Sequence, residues 1–169
     1  MLRKSKHFPS SKIEHVKCQS KNPDQELNYQ NMLLACNGNH GLTKKMQTCD
    51  TYKDERDLSF NPANPSRNIE DFIKYRANGE IYSDDKIINT ELSEVLNLNT
   101  IDLQGVREFY YREIQNRIIN EGKRRRGNDI QIRFYKSEKE KLLRMFGGNF
   151  KPYCMIGVYL INKKLKKYD

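Results

Sequence analysis

Apolar positions change their rhythm partway along the chain. From residue 13 to residue 62 they come in short clusters, set among Asn, Gly, Cys and His with little sustained periodicity. Ile13 to Val16 and Met32 to Cys36 are long enough only for short strands. Asn61-Pro62-Ala63-Asn64-Pro65 reads as a stiff connector, because proline fixes φ and restricts the residue before it. Beyond it the pattern becomes regular. Phe72 to Tyr75 and Glu80 to Tyr82 flank Asn78-Gly79, a pair that tolerates positive φ at both central positions of a hairpin turn. Ile87, Ile88, Leu92, Val95 and Leu96 recur at helical spacing, with Asp84 or Asp85 placed to cap the helix. Leu103, Val106, Tyr110, Ile114 and Ile118 form a longer stripe that Gly122 can end. Ser137-Glu138-Lys139-Glu140 has capping-box spacing and predicts a short helix through Leu142, Leu143 and Phe146, closed by Gly147-Gly148. Cys154 to Leu165 fits a helix or a buried strand, and its length and Lys-rich end favour the helix.

These elements predict an α+β protein. A flexible basic N-terminus covers residues 1–12, a loop-rich site domain 13–62, and a hairpin followed by a mainly helical region 66–169. No internal repeat is visible. The longest apolar run, Cys154 to Ile161, is too short to cross a bilayer. The basic N-terminus has no apolar segment behind it, so a secretory signal is not read there and a cytoplasmic location is expected.

Charge narrows the picture further. The 169 residues carry a formal net charge of +9 and a pI of about 9.3, a balance that suits an anionic partner such as nucleic acid. Lys123-Arg124-Arg125-Arg126 concentrates that charge between Gly122 and Gly127, as either a phosphate-tracking segment or a solvated loop. Four cysteines, Cys18, Cys36, Cys49 and Cys154, include no Cys-x-x-Cys pair, leaving metal ligation and free thiols as the open readings.

Candidate chemistry gathers in the first third. Glu14-His15 lies on the first strand, Asn31 precedes the second, and Cys49-Asp50-Thr51-Tyr52-Lys53 starts a helix. Phosphodiester hydrolysis needs a base for water, and a neutral imidazole serves near pH 7. A divalent cation can stabilise charge on the phosphate and leaving group, and hard Mg²⁺ prefers carboxylate or amide oxygens such as those of Glu14, Asp50 and Asn31. Neighbours on a strand point to opposite faces unless the strand kinks, so Glu14 and His15 alone do not define a site.

Three segments taken together are more specific: Ile13-Glu14-His15-Val16, then Asn31-Met32-Leu33-Leu34-Ala35-Cys36-Asn37-Gly38-Asn39, then Cys49-Asp50-Thr51-Tyr52-Lys53. This order resembles the signature of the HNH endonucleases. Asn78-Gly79-Glu80-Ile81, Val95-Leu96-Asn97-Leu98-Asn99 and Pro152-Tyr153-Cys154 extend the likeness to the HNH proteins of retron and Septu antiphage defence systems, over roughly residues 12 to 165. The resemblance implies a ββα-metal motif with His15 as the base that activates water and Asn31 as the residue that braces the loop. It implies Glu14 and Asp50 as ligands of Mg²⁺ or Mn²⁺, with His40 as the other placement of the last motif position, and Lys53 as a phosphate contact. Cys36 and Cys49 match half of a structural Zn²⁺ site. The other half, a Cys-x-x-Cys pair upstream of the histidine, is missing from the 14 residues before His15, so the zinc set is incomplete even if Cys18 joins it. The implied activity is metal-dependent cleavage of DNA, or RNA, under an ABC-type ATPase partner. The chain has no Gly-rich phosphate loop of its own. The departures leave two other readings open: a catalytically degraded HNH scaffold that links ATPase and nucleic acid, and a basic RNA-binding module without metal.

Overall fold

The computed structural model describes residues 11–168. They divide into two compact units: residues 11–73 with Ile81–Thr100, and Lys74–Glu80 with residues 101–168. Asn61–Pro65, read from the sequence as a connector, lies inside the first unit. The expected flexible stretch at residues 1–10 lies outside the described residues.

The first unit opens with strands β1 (Ser11–His15) and β2 (Met32–Cys36). They pair antiparallel in full register, Ser11 opposite Cys36 and His15 opposite Met32. A one-turn helix, α1 (Cys49–Lys53), packs against β2. Strand–strand–helix is thus the observed order. The 16 residues between the strands are tied down locally, by short 3₁₀ turns at Pro23–Gln25 and Tyr29–Asn31 and by the Asn28 side chain, which accepts from Gln30 N. Later in this unit come β4 (Ile81–Tyr82) and α2 (Lys86–Thr90), the latter continuing as a π-turn over Glu91–Val95. Asp85 supplies the expected cap, its Oδ1 accepting from Ile87 N at 2.9 Å and Ile88 N at 3.2 Å. Ile88 and Leu92, one turn apart, are the most deeply buried apolar side chains of this unit. Polar ties join the α2 segment to the strand region. Glu91 accepts from Ser59 N at 2.7 Å and Ser59 Oγ at 3.0 Å, and Cys49 N donates to Leu96 O at 2.8 Å.

The second antiparallel hairpin pairs β3 (Lys74–Tyr75) with β4. Its turn differs from the two-residue type expected. Gly79 N donates to Arg76 O at 3.0 Å and only Gly79 has positive φ (+80°), the pattern of a type I turn ending in a left-handed glycine. A Cβ at Gly79 would lie 1.9 Å from Gln104 O, so backbone approaches backbone there and no other residue fits.

The rest of the second unit is helical: α3 (Ile101–Ile114), a π-turn (Gln115–Ile119), α4 (Asn120–Arg124), α5 (Asn128–Leu142) and α6 (Cys154–Leu165). The stripe read over Leu103–Ile118 is buried only from Ile114 onward, and Val106 stays exposed. Ile114, Ile118, Ile119, Tyr135, Leu142, Ile156 and Ile161 make the core. Two expectations are corrected here. Gly122 does not end its helix; it is buried because the Tyr135 ring lies where a Cβ would be, 2.3 Å away, and the helix runs on to Arg124. Ser137–Glu140 does not open a helix either. Gly127, at φ +94°, breaks the chain ten residues earlier, and α5 starts at Asn128 because Tyr135 must reach the core. Its hydroxyl donates to Ile119 O at 3.1 Å. Cys154–Leu165 is a helix, as its length suggested. Among the described residues, no helix is long and apolar enough to cross a membrane.

Candidate functional site

Strand β1 turns its polar side inward. Glu14 is 8% exposed, while Ile13 is 60% exposed beside its cross-strand partner Leu34 at 68%. A carboxylate is tolerated inside only if it is compensated. Lys53, from the end of α1, does this. It is itself 1% exposed, and its Nζ lies 2.6 Å from Glu14 Oε1, a close ion pair rather than an aligned hydrogen bond. The same ammonium donates to the His15 carbonyl at 3.0 Å. Burial holds Lys53 below the ordinary lysine value, with the negative charge of Asp50 opposing that shift. Lys53 was expected to meet phosphate. Its burial corrects that: at the cleft wall its ammonium is held by Glu14 and the His15 carbonyl and anchors α1 to β1.

His15 is half-buried at the end of β1. Its Nε2 lies 3.0 Å from Glu26 O. A carbonyl only accepts, so Nε2 carries the proton and Nδ1 is the basic nitrogen. Nδ1 makes no hydrogen bond among the described residues. The loop that carries the Glu26 carbonyl is tied down by Asn31, which is 6% exposed. The Asn31 amide accepts from Lys17 N at 2.7 Å and donates to Lys17 O at 3.0 Å and Gln25 O at 3.2 Å. One buried side chain thereby ties the end of the first-strand segment at Lys17 to Gln25, the residue just before the histidine's partner. Asp57 adds a further tie, accepting from Cys18 N at 2.8 Å and from Asn22 Nδ2 at 3.4 Å. The Cys18 amide, foremost, holds the Asp57 carboxyl below its ordinary value.

Glu14, His15, His40 and Asp50 line one open cleft of about 460 Å³, together with Lys12 and Thr51. Asp50 does not face it as a free carboxylate, since it forms an ion pair with Lys12, whose Nζ also donates to Thr51 Oγ1 at 2.7 Å. His40 sits on the exposed 37–48 loop. Oxygen donors of the kind Mg²⁺ or Mn²⁺ takes are therefore present, but both carboxylates already face ammonium groups. Among the described residues, no three His, Cys, Asp or Glu side chains gather closely enough to hold a metal ion. As arranged, the expected ligands Glu14, Asp50 and His40 are two lysine-paired carboxylates and a loop histidine, a set that does not fit a metal centre.

Cys36 and Cys49 come together, with Sγ atoms 3.6 Å apart. The thiol–thiol hydrogen bond pulls Cys36 down to about 6 and drives its partner up. Cys18 is buried beside Ser20, with Sγ and Oγ 3.4 Å apart. The expected zinc set is thus a pair of thiols among the described residues. The basic run lies in the second unit and is divided by use. Lys123, Arg124 and Arg126 are exposed, whereas Arg125 is half-buried over the Phe134 ring, 4.2 Å from its centroid. Arg124 and Arg125 both approach Glu121.

Three groups escaped the sequence reading. Lys12 could have been found, since it sits two residues before Glu14 on the same strand face. Thr51 lies inside the helix motif. The Glu26 carbonyl is backbone and leaves no signal in the sequence. No family model matches the chain, and no curated protein matches it.

Proposed function

We propose that the first unit is an HNH-type site that hydrolyses nucleic-acid phosphodiesters, within a bacterial antiphage defence system. The observation that carries this is the placed histidine: His15 donates through Nε2 to the Glu26 carbonyl, beside a loop tied by Asn31, and lines the cleft with Glu14 and Asp50. In this reading Nδ1 takes a proton from water as the water attacks phosphorus. The carbonyl bond holds the ring's tautomer and stabilises the imidazolium that forms. Lys12, at the cleft wall and paired with Asp50, can donate a hydrogen bond toward the phosphate. No step is assigned to Mg²⁺ or Mn²⁺, because Glu14 and Asp50 are already matched by Lys53 and Lys12. Lys123, Arg124 and Arg126 supply sequence-independent backbone contacts from the second unit. An ABC-type ATPase is the proposed controlling partner.

The lysine pairing also favours a second reading, in which the chain keeps the HNH framework but works as an adaptor between the ATPase and nucleic acid. A phage-protection assay separates the two. Cells carrying the system with His15→Ala should lose protection if the chain is a nuclease, with the variant protein present at wild-type level. Full protection by His15→Ala would transfer the proposal to the adaptor.

A further inference from the structure

Cys36 ends β2 and Cys49 begins α1, and both are free thiols. Their Sγ atoms are 3.6 Å apart, against about 2.05 Å in a disulfide, so small side-chain rotations would join them. Cys36 is exposed, whereas Cys18 and Cys154 are buried. The backbone around the pair is already clamped. Thr48 N donates to Gly38 O at 2.9 Å, and Thr51 Oγ1 donates to Asn37 O at 2.8 Å. A Cβ on Gly38 would fall 2.2 Å from Thr48 O, which shows how closely the two stretches run. Cys49 itself has left-handed φ (+53°), a conformation a non-glycine residue adopts only when its surroundings impose it. The ordering cost of bringing these sulfurs together is therefore met in the reduced protein.

We propose that Cys36 and Cys49 form a reversible, oxidant-sensitive dithiol that closes to an intramolecular disulfide on reaction with a hydroperoxide. Cys36, the accessible thiol, attacks the peroxide oxygen. The O–O bond breaks, water or an alcohol leaves with the thiol proton, and Cys36 becomes a sulfenic acid. The Cys49 sulfur then attacks the Cys36 sulfur. The S–O bond breaks, the S–S bond forms, and water leaves with the Cys49 proton. Two thiols are oxidised and one hydroperoxide is reduced. The new bond staples β2 to the start of α1, the helix that carries Asp50 and Lys53, and closes the loop that carries His40. The proposal stands on the sulfur geometry and is independent of the nuclease reading.

The test treats the full chain, stripped of metal by a chelator, with hydrogen peroxide. Remaining thiols are then alkylated under denaturing conditions and the protein is mapped by mass spectrometry. The expected product has lost two hydrogens, joins the Cys36 and Cys49 peptides, leaves Cys18 and Cys154 open to alkylation, and reverts with dithiothreitol. Cys36→Ser and Cys49→Ser should each abolish the cross-link. The wild-type map decides the matter even if a variant folds poorly. Oxygen adducts on Cys36 without a cross-link, a cross-link between two chains, or no reaction would overturn the proposal. So would a purified protein carrying one zinc per chain that both serine variants lose, since the thiols would then be metal ligands.

Discussion

Lys53→Met isolates the buried charge on which the site rests. Methionine keeps most of the apolar stem and removes the ammonium. Lys53 is 1% exposed and Glu14 8%, so the carboxylate left behind cannot be solvated where it stands. Breaking one side of a buried ion pair costs about 3–5 kcal/mol. The His15 carbonyl loses its donor as well, adding about 1 kcal/mol. The variant should therefore lose about 4–6 kcal/mol, a large share of the roughly 5–15 kcal/mol that holds a domain folded. Glu14→Leu should be similarly costly, because it strands the ammonium. The double variant should recover to within about 2 kcal/mol of wild type, as apolar replacements of buried pairs do. Urea unfolding of the four proteins, followed by far-UV circular dichroism, gives the coupling energy. A Lys53→Met loss below about 1 kcal/mol, or single losses that simply add in the double variant, would refute the buried pair.

Two further outcomes follow from the loop around His15. Asn31→Ala strands Lys17 N, Lys17 O and Gln25 O and should cost about 2–4 kcal/mol in the same unfolding experiment; the His15 ring resonances should also move, because the Glu26 carbonyl is no longer held. Asp57 has a folded value below its ordinary 3.8, so its contribution to stability is fully present above that pH and is lost as pH falls below it through the folded value. Acid titration of thermal stability should accordingly be shallower below pH 3.8 in Asp57→Asn than in wild type, with the two curves parallel at neutral pH.

The elements were more legible than what their side chains do. Met32–Cys36 and Cys49–Lys53 fall where the pattern of apolar and helix-start residues places them, since local spacing decides short elements. The Asp85 cap is legible for the same reason. Helix limits in the second unit were not, because tertiary packing decided them: Gly122 yields its Cβ space to Tyr135, and the chain reversal at Gly127 overrides the capping-box spacing at Ser137. The site divides along similar lines. Asn31 was read as a loop brace from the motif order, and its amide makes three backbone bonds in that loop. Lys53 was read as a phosphate contact from its place in the HNH-like helix motif, which says nothing of burial. Only the fold reveals that β1 points Glu14 inward and that the lysine must follow it.

The most direct test of the central claim is nicking of supercoiled plasmid by the purified chain, beside His15→Ala of matched stability. Each should be run alone and with the proposed ATPase partner, in buffers with Mn²⁺ and with chelator. The account predicts that wild type nicks the plasmid in at least one of these conditions and that His15→Ala loses the activity by about 10²-fold or more. Equal nicking by both proteins, or none from folded wild type in any condition, would contradict it.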